Sequence, residues 1–170
     1  MQQLILGGVR SGKSRHAQQL AQESDKPVTL IATATAGDEE MLERIRRHQQ
    51  ERPAHWQVIE EPLALSAALQ QSDDPGAIVL VDCLTLWLTN LLLEEDSHRL
   101  EQEQDNLLAC LPLLQADLLL VSNEVGQGII PADPLSRRFA DETGRLHQRL
   151  ARACDRVTMI TAGLPQTLKG

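Results

Sequence analysis

Apolar positions along the chain fall into short runs, and polar stretches of helical periodicity separate them. Gln3–Leu6 reads as a first strand, and Lys13–Glu23, rich in Ala, Gln and Leu, as a helix. Val28–Thr33 follows Pro27 and is apolar and partly β-branched, which predicts a second strand. Gly37-Asp38 is a helix-start signal, and Glu39–Gln50 follows as a charged helix with Glu40/Arg44 and Glu43/Arg47 four residues apart. Trp56–Glu60 predicts a short strand. Pro62 then opens a helix through about Gln70, with proline at the tolerated first turn.

The second half repeats the alternation. Asp73–Gly76 is a turn, and Ala77–Val81 is a continuous apolar run closed by Asp82, a pattern that suits a central strand of a parallel sheet. Thr85 to about Glu95 and Arg99–Gln115 read as helices joined by the acidic Glu94–Ser97, and Pro112 predicts a break late in the second. Asp117–Ser122 is another buried-strand pattern, and Asn123–Ala132 is a glycine-containing loop. Asp133 as cap and Pro134 at the first position open the longest helix, with Leu135, Phe139, Leu146 and Leu150 as its apolar stripe. Gly144 inside it marks either a close backbone approach or a tolerated glycine. Val157–Thr161 is the last predicted strand. This order predicts one α/β domain over residues 1–170, with a mainly parallel central sheet and helices on both faces.

Composition narrows the partners. The 170 residues are 42% hydrophobic and 24% charged, a globular balance. A net charge of -8, with a pI of about 5.1, argues against nucleic acid or an anionic membrane as partner. Trp56, Trp87 and Phe139 are the whole aromatic content, too few for a base-stacking platform. The three cysteines, Cys83, Cys110 and Cys154, are widely spaced, with no CxxC, which predicts reduced, buried thiols in a cytoplasmic protein. The N-terminus breaks at Gly7-Gly8 without a basic lead-in and is not read as a signal peptide. No apolar run approaches the roughly 20 residues of a membrane span, and Thr89 and Asn90 interrupt the greasiest, Leu86–Leu93.

The sharpest chemical signal is Gly7-Gly8-Val9-Arg10-Ser11-Gly12-Lys13-Ser14, a full match to GxxxxGK[ST] between a predicted strand and a predicted helix. The glycines let backbone N–H groups converge on phosphate oxygens, and the helix start adds its positive end. Lys13 reaches the β- and γ-phosphates of a nucleoside triphosphate, and Ser14 can ligate Mg²⁺. Asp82, closing its strand, is the best carboxylate for the same ion. Glu124, after a similar run, is its rival or lines an acceptor site. The fold class is therefore a P-loop NTPase of the RecA-like kind. No NKxD-type guanine motif and no DxxG switch follow the metal strand, so a regulatory GTPase is not indicated.

GGVRSGKSRHAQ, IATA with its acidic stretch, RIRRHQQERPAHW, VDCLTLWLTNLL, VSNEVGQGIIP and TGRLHQRLA occur in that order from Leu4 to Thr161. Together they resemble the bifunctional adenosylcobinamide kinase/adenosylcobinamide-phosphate guanylyltransferases of cobalamin biosynthesis. The resemblance implies that ATP or GTP phosphorylates the aminopropanol hydroxyl of adenosylcobinamide. GMP from GTP is then passed through a covalent histidine to the resulting adenosylcobinamide phosphate, giving adenosylcobinamide-GDP and pyrophosphate. The matching histidine is His48, and Lys13 joins it as a catalytic residue. By the same matching, Thr33, Ala34, Thr35, Gln49, Gln50, Glu51, Arg52, Glu60 and Asp82 join the loop as nucleotide contacts, and the assembly implied is a homotrimer. An unperturbed imidazole, with a pKa of about 6.5, is mostly neutral near neutral pH and can attack phosphorus. His16 is expected to pack or touch substrate, and His55, His98 and His147 to be structural or exposed. A kinase without guanylyltransferase activity, and a nucleotide-binding regulator, are the competing readings.

Overall fold

The computed structural model describes residues 1–35, 39, 43, 53–96 and 98–170. Its frame is a seven-stranded sheet with the order β3-β2-β4-β5-β1-β6-β7. The strands are β1 (Gln2–Gly7), β2 (Val28–Ala32), β3 (Gln57–Glu60), β4 (Ile78–Asp82), β5 (Asp117–Asn123), β6 (Arg156–Thr161) and β7 (Leu164–Lys169). All neighbours pair in parallel except β6 and β7. Among the described residues the continuous helices are α1 (Lys13–Glu23), α2 (Leu65–Gln71), α3 (Leu84–Leu92), α4 (Arg99–Cys110) and α5 (Pro134–Ala153).

Strand alternation divides the core between the two faces. Leu4, Leu6, Val79, Val81, Leu118 and Leu120 pack with Leu69, Trp87, Leu88, Leu107, Leu146 and Leu150 of α2 to α5. The intervening Ile5, Ile78, Leu80, Leu119 and Val121 pack with Ala17 and Ala21 of α1 and with Trp56. Both faces of β1, β4 and β5 are therefore dry, which is why these strands read as unbroken apolar runs. Small alanines on α1 let that helix lie close to the sheet.

Several expected boundaries move for local reasons. The helix after Pro62 begins at Leu65, because the Glu61 carboxylate accepts the N–H groups of Leu63 and Ala64 and holds that stretch as a cap. The helix read as Arg99–Gln115 ends at Cys110, and Pro112 sits in a 3₁₀ turn, Leu111–Leu113. Thr85–Glu95 contracts to Leu84–Leu92. Asp133 caps α5 through Ser136 N–H, and Pro134 is its first residue, as the sequence predicts. Leu146 and Leu150 are buried and Phe139 half-buried, but Leu135 is 47% exposed and lies outside the stripe. A Cβ at Gly144 would meet nothing within 4 Å, so that glycine is the tolerated kind. Of the charged helix read over Glu39–Gln50, only Glu39 and Glu43 are described, and both are helical.

Val157–Thr161 is not the last strand. β7 turns back on it antiparallel through Ala162 (φ 53°) and Gly163 (φ 80°), a two-residue turn with both central residues left-handed. Lys169 at its end donates to the carbonyls of Ala151, Arg152 and Cys154, closing the C-terminus of α5.

Candidate functional site

Six parallel strands, β1 to β6, end on one edge of the sheet, and the register shows which ends are neighbours. Gly7 of β1 faces Asn123 of β5, Asp82 of β4 faces Val121 of β5 and Ala32 of β2, and Ala32 faces Glu60 of β3. The expected residues Gly7, Thr33, Glu60 and Asp82 thus lie along the carboxyl edge, where open α/β sheets bind ligands.

Between β1 and α1 the chain curls through residues 8–12. Ser11 N–H donates to Gly8 O at 3.2 Å, and His16 N–H to Gly12 O at 2.9 Å, the first turn of α1. Arg10 (φ 56°) and Gly12 (φ 98°) adopt left-handed backbone. Gly7 is required by space. A Cβ there would stand 2.4 Å from Ser11 Oγ and 2.7 Å from Ile160 O. Gly12 caps α1 without a side-chain hydrogen bond, leaving the first-turn N–H groups for an anion.

Lys13 is buried, and its Nζ donates to Gly8 O at 3.3 Å, which arches the side chain back over the loop. Burial lowers its pKa, opposed by charge on Cys83 and Asp82. The Cys83 thiol is itself pushed up by burial, so Asp82 supplies the opposing charge near neutral pH. Ser14 Oγ donates to Asp82 Oδ1 at 3.4 Å, bringing the two proposed metal ligands together. A hydroxyl and a carboxylate, both half-buried and both oxygen donors, suit Mg²⁺, which keeps waters and phosphate oxygens for its other positions.

Thr33 and Thr35 are tied to α3 by Asn90. Asn90 Nδ2 donates to Thr33 O at 2.8 Å and to Pro62 O at 3.1 Å, and Thr35 Oγ1 donates to Asn90 Oδ1 at 3.0 Å. Thr33 Oγ1 donates to Cys83 O at 2.6 Å and accepts Cys83 N–H at 3.1 Å, joining the ends of β2 and β4. Ala34 lies between the two threonines, half-buried, and Glu60 is exposed. His48, Gln49, Gln50, Glu51 and Arg52 lie outside the described residues. His55 and His98 are exposed, and His16 is half-buried.

Three contributors were not singled out by sequence. Gly163, in the β6–β7 turn, donates its N–H to Ser11 O at 2.8 Å and so supports the loop. Asn90 reads in sequence as an interruption of a greasy helix. His147 is buried and its Nε2 is 2.7 Å from Ser122 Oγ, with Nδ1 3.6 Å from Glu124 Oε2. Its place on the buried side of α5, next to Leu146, was a readable signal.

A curled glycine loop, a buried lysine over it and a Ser–Asp pair at the carboxyl edge of this sheet define a P-loop NTPase fold of the RecA-like kind. Solved structures agree at the level of fold. The RadB recombinase superposes with a TM-score of 0.53 at 15% identity over 93% of this chain and 73% of that one. A protein from Pyrococcus horikoshii OT3 reaches 0.60 at 11% identity over 99% and 86%. Residues 3–168 match the family model described as cobinamide kinase / cobinamide phosphate guanyltransferase, and the chain belongs to that family. It is 57% identical over 170 residues to a bifunctional adenosylcobalamin biosynthesis protein, CobP, of Pseudomonas aeruginosa, covering 100% of this chain and 98% of the relative. It is 38% identical over 179 aligned positions to the bifunctional adenosylcobalamin biosynthesis protein CobU of Escherichia coli, covering 98% of each. No helix among the described residues is long and apolar enough to cross a membrane.

Proposed function

We propose that the protein phosphorylates adenosylcobinamide with ATP or GTP and then transfers GMP from GTP to the product, giving adenosylcobinamide-GDP and pyrophosphate. The observation that carries this reading is the buried Lys13 beside the Ser14–Asp82 pair at 3.4 Å, in a chain of this family. In the first step the loop amides and Lys13 hold the β- and γ-phosphates while the acceptor hydroxyl attacks the γ-phosphorus. Ser14 and Asp82 would hold Mg²⁺, which when bound neutralises charge on the phosphate oxygens. In the second step His48 attacks the α-phosphorus of GTP. An N–P bond forms, pyrophosphate leaves on the loop, and GMP passes from the imidazole to the phosphate of the corrinoid. Thr33, Ala34, Thr35, Gln49, Gln50, Glu51, Arg52 and Glu60 complete the nucleotide contacts on this reading.

The same reading makes the protein a cytoplasmic homotrimer. Three buried free thiols suit a reducing compartment. An apolar hollow of about 200 Å³ between α3 and α5, lined by Thr89, Leu92, Leu93, Leu135, Ser136 and Phe139, is a face that a second copy can cover.

Incubation with GTP labelled at the α-phosphate tests the covalent step. Acid-labile, base-stable label on the wild type, absent from His48→Ala, is expected. Absence of label from the wild type, or its persistence in the variant, would overturn the guanylyl-histidine.

A further inference from the structure

The loop after β5 brings a second carboxylate to the carboxyl edge, and the Ser14–Asp82 pair does not use it. Glu124 N–H donates to Gly7 O at 2.9 Å, which sets its backbone against the first residue of the phosphate loop. β5 lies between β1 and β4, so Glu124 emerges between the loop and the Asp82 strand end. Its carboxylate is turned by two groups. Oε1 accepts Gly126 N–H at 2.7 Å, and Oε2 faces His147 Nδ1 at 3.6 Å. The side chain keeps 22% of its surface open, enough to meet a substrate.

His147 is locked from behind. Its Nε2 is 2.7 Å from the hydroxyl of Ser122, which is fully buried in β5, while its buried Nδ1 has no hydrogen-bond partner. Burial lowers the imidazole's pKa, against the pull of Glu124, so the ring is neutral near pH 7 and carries one N–H. With that proton on Nδ1, the Ser122 hydroxyl donates to Nε2 and Nδ1–H points at the carboxylate. The other tautomer would set a ring lone pair against a carboxylate oxygen.

We propose that Glu124 takes the proton of the acceptor hydroxyl during γ-phosphoryl transfer, and that His147 is the positioning residue that aims it. This rests on the kinase reading above. The hydroxyl oxygen bonds to the γ-phosphorus, and the bond from that phosphorus to the β,γ-bridging oxygen breaks. The nucleoside diphosphate leaves with the electron pair, and the hydroxyl proton passes to Glu124 Oε2 and then to solvent. The guanylyl acceptor is different in kind. It is a phosphate monoester with a second pKa near 6, so its attacking oxygen is already ionised and needs no base. Glu124 therefore serves one of the two reactions.

The experiment measures both reactions on the full chain, using adenosylcobinamide for the first and preformed adenosylcobinamide phosphate for the second. Glu124→Gln is expected to lower kinase kcat by about 10²-fold or more, within the range of general-base contributions, with the KM for nucleotide unchanged. The same sample keeps guanylyl transfer within about threefold, which also shows that it is folded. His147→Leu is expected to lower kinase kcat by about tenfold, and His147→Gln to recover part of it, because its amide can present an N–H to the carboxylate. Equal loss of both reactions in Glu124→Gln would make Glu124 part of the shared nucleotide or metal site and overturn the proposal, as would kinase turnover close to wild type. A wild type that never phosphorylates adenosylcobinamide would instead sink the kinase reading itself. Should the His147 variants not fold, Glu124→Gln decides alone.

Discussion

Gly163 N–H donates to Ser11 O at 2.8 Å, and a Cβ on Gly12 would stand 3.3 Å from Gly163 Cα. The turn of the β6–β7 hairpin is thus packed on the back of the phosphate loop. A loop curled by glycines has little stiffness of its own, and this contact supplies some from outside.

Substitution at Gly163 separates the two demands on it. Gly163→Ala meets open space at its Cβ and carries only the left-handed backbone penalty, about 1–2 kcal/mol, with nucleotide affinity retained. Gly163→Pro removes the N–H and cannot adopt φ 80°, so it costs more than about 1 kcal/mol and weakens nucleotide binding severalfold. Denaturant melts and nucleotide titrations on both variants check this.

Ser14 and Asp82 form one oxygen pair, so their loss is expected to be non-additive. Ser14→Ala and Asp82→Ala should each lower Mg²⁺-dependent turnover by about 10²-fold, and the double variant by little more. Turnover measured across a magnesium titration gives the answer, and a multiplicative loss would mean that the two act separately.

Asn90 holds Thr33, Thr35 and Pro62 at once. Asn90→Ala leaves part-buried carbonyls without a donor and should destabilise by about 1–3 kcal/mol. Asn90→Asp keeps the acceptor for Thr35 but sets a charged oxygen against the Thr33 and Pro62 carbonyls, so it should melt lower still. Thermal melts at neutral pH rank the two variants.

Asp117 accepts from Lys26 Nζ at 2.6 Å and pairs with the Met1 amino group, and these contacts lower its pKa. A folded-state pKa below the unfolded value stabilises the protein above about pH 4, and that stability is lost as pH falls through the folded pKa. Asp117→Asn should therefore lower the Tm at pH 6 and flatten its fall below pH 4. Parallel Tm curves for variant and wild type would refute this.

Features that depend on neighbours in sequence were legible, and those that depend on distant contacts were not. The loop and α1 could be read because one motif ends a strand, curls and opens a helix within a few residues. Asp133 and Pro134 gave the start of α5 for the same reason. β7 escaped because Leu164–Lys169 is exposed throughout, so no alternation of burial marks it, and Pro165 argues against a strand unless the strand lies at an edge. His147 passed as a structural histidine because the groups that give it meaning, Ser122 and Glu124, belong to another element. Asn90 broke an apolar run without showing that two chain segments converge on its amide.

The order of pairing has a consequence for the making of the protein. β1, with the phosphate loop at its end, is made before every other strand of the sheet, yet Gln2 must wait for Leu118 and Gln3 for Arg156 before either side of the strand is paired. For most of translation this apolar strand has no native edge to join. Long-range parallel pairing of this kind is slow and exposes sticky surface. Nascent chains stalled before residue 117 should therefore lean on chaperones and bind no nucleotide, although the whole glycine motif has already been made.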